Sequence, residues 1–148
     1  MQTHIVAKTL VFNERGELLL IRRSTTDSHR PGEPDLPGGQ VEAGEEILAG
    51  AVREAYEETG LTLDPKQMQL VYAETRIGLK KDINQHINFV KLIYATKVGD
   101  QAIQLSVEHD QHTWHKPDQL PDDPTYHKYI TLTTYLRDND IAADLWRV

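Results

Sequence analysis

The segment GGQVEAGEEILAGAVREAYEETGL, residues 38–61, constrains the fold of this chain more than any other part of the sequence. It is rich in Ala, Glu and Leu, which favour a helix, and Gly60 is placed to end that helix. Three of its glutamates, Glu54, Glu57 and Glu58, lie within five positions. At about 100° per residue, their carboxylates share one face of the predicted helix.

A second face of this helix carries a narrow apolar stripe, formed by Leu48, Val52, Ala55 and Thr59. Such a stripe packs on a β-sheet, and the sequence therefore predicts a helix laid against a sheet. The glutamate face is expected to point away from the stripe.

Like charges three or four residues apart destabilise an isolated helix by roughly 0.2–0.5 kcal/mol per pair. One explanation for the three glutamates is a solvated acidic face, since glutamate is a good helix former. The other is a site for a divalent cation such as Mg²⁺, which binds carboxylate oxygens and leaves positions for water and substrate phosphates. The helix alone leaves both explanations open.

Length and composition exclude several classes of protein. The 148 residues fit a single domain, 1–148, and 16 Lys+Arg against 23 Asp+Glu give a net charge of −7. An acidic chain has no broad field for nucleic-acid polymers, so a phosphorylated ligand must be held locally. The absence of cysteine excludes disulfides and thiol chemistry. With no apolar run of membrane-spanning length and no signal-peptide pattern, we expect no membrane partner and a cytoplasmic location.

The remaining elements predict a mixed α/β (α+β) architecture without regular βαβ alternation. HIVAKTLVF and ELLLIRR indicate a β-hairpin, and the stretch 24–39, with three Pro and three Gly, indicates a long functional loop. MQLVYAETRI and HINFVKLIYATKV are typical of strands. A C-terminal helix is predicted after Asp122 or Asp123, with Pro124 in its first turn.

Read with its gaps, the opening segment has Gly39, five residues, Glu45, seven residues and then Arg53-Glu54-Ala55-Tyr56-Glu57-Glu58-Thr59-Gly60-Leu61. This closely resembles the Nudix box, and every charged or glycine position matches. Ala55 is the one departure, because a larger aliphatic residue is usual there. We expect it to change packing and not chemistry. DLPGG just before the box also resembles the family, and a weaker resemblance covers most of the chain.

The resemblance implies the Nudix fold, a mixed β-sheet sandwiched between α-helices, and hydrolysis of a nucleoside diphosphate linked to another group with Mg²⁺ or Mn²⁺. It implies that Glu57 and Glu58 are the principal metal ligands. Glu54 matches a further ligand or the residue that orients the attacking water. Arg53 matches the arginine that holds the carboxylates in place, and Gly38 matches a residue whose backbone carbonyl joins the coordination.

Four residues are predicted to contact substrate: Arg23, Gly39, Tyr126 and His127. An arginine at the end of the second strand often meets substrate phosphate in the family, and an acidic protein needs local cations to bind an anion. Tyr126 and His127 could line a base pocket, because their rings stack on bases. The alternatives are a solvated strand end for Arg23 and helix-surface packing for the two ring residues.

Glu108 is predicted to be catalytic, as a further metal ligand or general base, because the family often carries a glutamate before a strand containing a Trp, here Trp114. Its alternative is a surface carboxylate. His109, His112 and His115 repeat every three residues, which raises a transition-metal site as one hypothesis and solvated or substrate-lining histidines as the other. On a strand, His112 would face the opposite side from the other two.

Residues beyond the box favour one substrate class. ADP-ribose hydrolases often have a Pro, and diadenosine polyphosphate hydrolases a Tyr, near the position of Ile77, and both are missing here. This leaves (deoxy)nucleoside triphosphates, including oxidised purine nucleotides, cleaved to monophosphate and pyrophosphate. The alternatives are an ADP-ribose or nucleotide-sugar hydrolase and a non-catalytic Nudix-like nucleotide sensor. A same-fold isoprenoid isomerase would need a cysteine. The expected partner is a small nucleotide, with a monomer and a homodimer both open.

Overall fold

A mixed β-sheet of seven strands forms the centre of the protein, whose structure is a computed structural model describing residues 1–148. The strands are β1 (Thr3–Phe12), β2 (Leu18–Arg23), β3 (Pro34–Asp35), β4 (Gly38–Gln40), β5 (Gln69–Lys80), β6 (Gln85–Lys97) and β7 (His109–His115). The helices are α1 (Ile47–Thr59), α2 (His127–Asp138) and α3 (Ala143–Trp146), with short 3₁₀ turns at Pro65–Gln67 and Pro124–Tyr126.

The strands pair in the order β3-β2-β1-β6-β5, with β4 added to β1 and β7 added to β2. β1 and β6 are parallel over their whole paired length, whereas β5 and β6 form a long antiparallel hairpin. The predicted β1–β2 hairpin is only partly correct, because the two strands pair at Phe12 and Leu18 alone. β2 separates from β1 and pairs instead with β3 and β7.

Alternating residues of the central strands pack against helices on opposite faces of the sheet. Leu10 and Phe12 of β1 join a core cluster that includes Leu132 and Leu136 of α2. Ala7 and Val11, at odd-numbered positions of the same strand, face the other side of the sheet and join a second cluster with α1. This period of two is what buries both faces of a strand. The predicted mixed sheet between helices is confirmed.

Helix α1 lies close to the sheet because the side chains on its inner side are small. Gly50, Ala51 and Ala55 are buried, and Ala55 is fully enclosed in the core. The helix ends as predicted at Gly60, which has the left-handed φ of 74° and donates its N–H to the carbonyl of Tyr56.

The predicted loop 24–39 contains two short strands in its second half. β4 pairs with β1 in the register Val6–Gln40, Ala7–Gly39 and Lys8–Gly38, which brings the start of the glycine-rich segment against the sheet. The C-terminal helix begins after a 3₁₀ turn that Asp123 caps by accepting the N–H of Thr125. No helix combines the length and apolar character that crossing a bilayer requires.

Candidate active site

Helix α1 presents its three clustered glutamates to three different environments. The side chain of Glu57 is 55% exposed and that of Glu54 is 18% exposed, whereas Glu58 is buried. The expectation of one glutamate face pointing away from the packed side is therefore wrong for Glu58. The reason is tertiary: β4 and the turn before β7 lie over the last turn of α1 and enclose this carboxylate.

Arg53 holds the carboxylates together. Its Nε and Nη2 donate to the two oxygens of Glu45 at 2.7 and 3.0 Å, and its Nη1 donates to Glu54 at 3.1 Å and to Glu57 at 3.2 Å. The bond from Arg53 lowers the pKa of Glu45 to about 2. A planar guanidinium with several donors suits this role, because it can serve three acceptors at once. The resemblance gives Arg53 the role of holding the carboxylates, and that role stays a prediction.

Glu58 is the most perturbed carboxyl group of the cluster. Burial raises its pKa to about 7, although the nearby Lys8 ammonium and the N–H of Gly38 oppose that shift. The Gly38 N–H donates to its Oε1 at 2.7 Å. Burial also raises the pKa of Glu54. A buried carboxyl that resists ionisation gains from a nearby cation, and this is a common property of functional sites.

The turn that precedes β7 brings two further ligand groups to Glu58. A carboxylate oxygen of Glu108, a ring nitrogen of His109 and a carboxylate oxygen of Glu58 all lie within 4.8 Å of one another. Glu108 is exposed and His109 is buried. The sequence predicted Glu108 for this region, and the structure places it beside the α1 cluster. Of the three spaced histidines, His109 is the one in this group.

Two adjacent glycines bring the backbone close to these side chains. Gly38 has a φ of 142°, and a Cβ there would lie 2.1 Å from the carbonyl oxygen of Ala7. A Cβ on Gly39 would lie 2.7 Å from a carboxylate oxygen of Glu54. Gly38 therefore permits β4 to pair with β1, and Gly39 leaves space for the Glu54 carboxylate.

The residues present fit a hard divalent cation. Glu58 and Glu108 lie within 4.8 Å of each other, and Glu54 and Glu57 carry further carboxylates on the same helix as Glu58. The carbonyl of Gly38 is close by but already accepts from the Lys8 ammonium. Oxygen donors of this kind are what Mg²⁺ and Mn²⁺ bind in proteins. A bound cation would also stabilise the ionised form of Glu58 and so lower its raised pKa.

Asp35 is the centre of a buried polar network next to this cluster. The ammonium of Lys8 donates to both Asp35 oxygens, at 3.2 and 3.3 Å, and to the carbonyl of Gly38 at 3.0 Å. Arg23 donates to Asp35 and Asp27. Burial alone would raise the pKa of Asp35, but Lys8 and the other cations hold it well below its usual value. Arg23 is thus already paired with two carboxylates, one of which is Asp35 of this network. Its predicted phosphate contact stays a prediction.

A cavity of about 390 Å³ opens between the sheet and α2. Its apolar wall includes Leu36, Ile93 and Leu132, which belong to the core cluster beneath α2. Tyr72 and Tyr135 line it and meet edge to face, with ring centroids 5.6 Å apart. The volume and the mixed lining are typical of a site for a small ligand.

Cations predominate among the charged residues that line the cavity. There are four cations, Lys8, Arg30, Lys91 and Lys128, and two carboxylates, Asp35 and Glu74. Burial and then the charge of Lys8 lower the pKa of Lys91. The pKa of Lys128 is lowered to about 8 by burial and by Arg30 and Lys91, although part of its side chain reaches solvent. An acidic protein has concentrated mutually repelling cations here, which favours a ligand rich in oxygen.

Lys8 connects the cavity to the carboxylate cluster. Its side chain lines the cavity, and its ammonium bonds the carbonyl of Gly38, whose N–H bonds Glu58. Lys8 and Gly38 thus form a continuous polar connection between the cavity lining and Glu58 of α1.

The structure places Tyr126 and His127 outside both features. Tyr126 packs edge to face on His115 and lines a small hollow of about 30 Å³ with Arg22. His127 is exposed, and its Nε2 lies 3.7 Å from Asp122. Neither residue lines the large cavity. Their predicted contact with a base stays a prediction.

The comparisons with known proteins agree with this geometry. The family model described as "NUDIX domain" matches residues 2–134. The chain belongs to the Nudix family. It is 31% identical over 111 residues to a MutT-like protein of Streptomyces ambofaciens, covering 75% of this chain and 62% of that protein.

Two further comparisons give the same assignment. A putative 8-oxo-dGTP diphosphatase of Bacillus subtilis is 31% identical over 115 residues, which cover 78% of this chain and 68% of that protein. The crystal structure of a MutT protein from Methanosarcina mazei Go1 aligns with a TM-score of 0.69 at 27% identity, covering 93% of this chain and 96% of that one. They confirm the predicted class, a MutT-like Nudix hydrolase.

Sequence reasoning did not identify Lys8, Asp35, His109 or the cavity as parts of one site. Lys8 and Asp35 are 27 positions apart, and they meet because Lys8 of β1 pairs with Gly38 of β4, three residues after Asp35. One signal was available: a lysine within an otherwise apolar strand, HIVAKTLVF, needs a buried partner. The cavity has no comparable signal, because its lining comes from four strands, one helix and the loops on either side of β3.

Proposed function

We propose that the protein is a divalent-cation-dependent pyrophosphohydrolase of nucleoside diphosphates linked to another group. Its preferred substrates are (deoxy)nucleoside triphosphates, including those with oxidised purines, and its products are the nucleoside monophosphate and pyrophosphate. The observation that carries the proposal is the carboxylate cluster of α1, held by Arg53 and completed by Glu108, beside a cation-lined cavity.

The cluster supplies the groups that this reaction needs. Bound Mg²⁺ or Mn²⁺ would polarise the diphosphate and activate a water for attack on phosphorus. Glu57, Glu58 and the Gly38 carbonyl would hold the cation. Glu54 and Glu108 are two candidates for the base that takes the proton of the water. Burial raises the pKa of Glu54 above the usual value for a glutamate, so its carboxylate is a stronger base than an unperturbed one.

The cavity supplies the place for the nucleoside. Tyr72 and Tyr135 offer ring faces and edges to a base, and base–aromatic stacking contributes roughly 1–3 kcal/mol. Lys91 and Lys128 offer donors to carbonyl oxygens of a base. This excess of donors supports purines that carry oxo groups, and the Bacillus relative bears the name of an 8-oxo-dGTP diphosphatase.

The alternatives have less support. An ADP-ribose or nucleotide-sugar hydrolase would place an uncharged sugar or adenine among the four cations of the cavity. A non-catalytic nucleotide sensor would usually have lost glutamates of the box, and all of them are retained. The single-domain organisation, the cytoplasmic location and a homodimer stay predictions from the sequence.

A substrate panel tests the proposal. The ratio kcat/KM is measured with Mg²⁺ for dGTP, dATP, dCTP, 8-oxo-dGTP and ADP-ribose, with separate detection of pyrophosphate and phosphate. We expect a triphosphate to lead and pyrophosphate to be released. If ADP-ribose leads every triphosphate by more than tenfold, about 1.4 kcal/mol of transition-state preference, the substrate assignment is wrong. The Glu57→Gln protein, purified in parallel, controls for contaminating phosphatases.

A further inference from the structure

His109 is a buried polar side chain with no hydrogen-bond partner at normal distance. Its side chain is 1% exposed, its Nε2 lies 3.6 Å from Asp35 Oδ2, which is a long contact, and its Nδ1 has no partner. A buried polar group left in this state costs roughly 1–3 kcal/mol of stability, and such groups are rare in folded proteins. The ring therefore calls for an explanation in terms of something that it binds.

The surroundings of His109 are those of a metal ligand. One ring nitrogen lies within 4.8 Å of a carboxylate oxygen of Glu58 and one of Glu108, which are themselves within that distance of each other. Two ligands of one cation at about 2.0–2.2 Å are at most about 4.4 Å apart. The 4.8 Å limit is only slightly larger, so a small movement of the exposed Glu108 side chain brings all three side chains within reach of a single ion.

Asp35 occupies the position of an orienting carboxylate. Its Oδ2 lies 3.6 Å from Nε2 of His109, and Lys8 and Arg23 hold it in place. Histidines that bind metals commonly give their second ring N–H to a carboxylate, which fixes the ring and raises the basicity of the binding nitrogen.

The backbone fixes the ring relative to Glu58. The N–H of Ser106 donates to the carbonyl of Glu58 at 3.1 Å, and the N–H of His109 donates to the carbonyl of Ser106 at 3.2 Å. The last turn of α1 and the first residue of β7 are thus joined through a single residue. Two of the three ligands, Glu58 and His109, are therefore buried and fixed by the fold, and Glu108 joins them from the surface.

We propose that His109 supplies a ring nitrogen to a divalent cation bound by Glu58 and Glu108, and that the site therefore favours Mn²⁺, Fe²⁺ or Co²⁺ over Mg²⁺. Mg²⁺ prefers oxygen ligands, whereas an imidazole ligand raises the affinity for transition metals. The inference rests on the proposed cation-binding role of the α1 cluster. It adds a nitrogen ligand and a metal preference to that role.

Pulsed electron paramagnetic resonance of the full chain loaded with Mn²⁺ gives the direct test. A coordinated imidazole produces a ¹⁴N coupling that oxygen ligands lack. We expect this coupling in the wild-type protein and in His112→Gln, an exposed histidine of the same strand, and its loss in His109→Gln. Absence of the coupling in wild type, or its persistence in His109→Gln, overturns the proposal.

Competition between cations gives a second measurement. Glutamine keeps an oxygen donor at position 109, so Mg²⁺ binding should survive while the ratio of Co²⁺ to Mg²⁺ affinity falls about tenfold. An unchanged ratio overturns the proposal, as does an equal fall for both cations. If the chain binds no divalent cation and hydrolyses nucleotides without one, the proposed metal-dependent function itself fails. That outcome differs from Mn²⁺ binding without ¹⁴N coupling.

Discussion

The carboxylate cluster and the cavity beneath α2 are built from the chain in opposite ways. Most of the cluster comes from one helix, at spacings of one, three and four residues, and Arg53 of the same helix holds it. The cavity is lined by four strands, one helix and the loops on either side of β3, and it carries the opposite charge. The difference indicates that the groups proposed for bond cleavage are encoded locally, whereas those proposed for substrate choice arise from tertiary packing. Changes in the two regions should therefore affect different kinetic constants.

Removal of divalent cations should have the largest effect and should act on the cluster alone. We expect complete chelation with EDTA to abolish nucleotide hydrolysis, because the carboxylates cannot polarise a diphosphate by themselves. The fold should persist, since Arg53 already offsets the repulsion between Glu54 and Glu57. Hydrolysis and circular dichroism are followed during the titration, and Mg²⁺ is then added back. Activity that survives chelation would contradict the metal role.

Glu57→Gln and Glu58→Gln should each reduce kcat by about 100-fold or more, because each removes charge from the cation site. The melting temperature should be maintained, since each change relieves repulsion within the cluster. Glu46→Gln is the matched control, because Glu46 is exposed and makes no capping bond to α1. Near-normal turnover in both cluster variants would show that the glutamates of α1 form a solvated acidic face and not a cation site.

Neutralising the cavity should mainly raise KM. For Lys91→Gln and Lys128→Gln we expect KM for the preferred nucleotide to rise by about tenfold, the value of one charged hydrogen bond, with a much smaller change in kcat. Lys66→Gln, an exposed lysine elsewhere on the surface, is the control. A fall in kcat without a rise in KM would assign the cavity to the chemical step. The proposed division of roles, with the cluster for cleavage and the cavity for substrate binding, would then be wrong.

The pKa of Lys128, about 8, adds a pH dependence to the same comparison. Lys128 loses its charge as the pH rises through that value, so affinity for an oxygen-rich ligand should fall above about pH 8. The Lys128→Gln protein should lack this component. Nucleotide affinity, measured between pH 7 and about 9.5 for both proteins, separates Lys128 from other titrating groups. Identical profiles would show that Lys128 does not contact the ligand.

The smallest effect concerns the stability of the metal-free protein. The folded-state pKa of Glu58 is raised to about 7 from an ordinary 4.5, so the folded protein keeps a proton that the unfolded chain has lost. The free energy of unfolding should therefore fall as the pH rises from about 4.5 to 7, by up to about 3 kcal/mol from this group. Urea denaturation in EDTA should show this slope in wild type and a weaker one in Glu58→Gln. Parallel slopes would contradict the burial argument.

The sequence predicted those parts of the site whose groups repeat along one helix. The spacing of Glu54, Glu57 and Glu58 needs only the period of a helix, and Gly60 ends that helix where expected. The burial of Glu58 could not be predicted in this way, because β4 and the turn before β7 produce it. His109 likewise meets Asp35, 74 positions earlier, only once β3 and β7 have both paired with β2.

The adjacent glycines at the start of the box show how such a site restricts evolutionary drift. At position 38 any added side chain collides with the backbone of Ala7, so substitution there costs the fold and lowers the amount of protein. At position 39 the collision is with the carboxylate of Glu54, a movable side chain, so substitution there leaves a folded protein with a displaced Glu54. Neighbouring residues of identical chemistry are thus subject to two different structural constraints. A lineage that abandoned hydrolysis would be free to lose Gly39 while keeping Gly38.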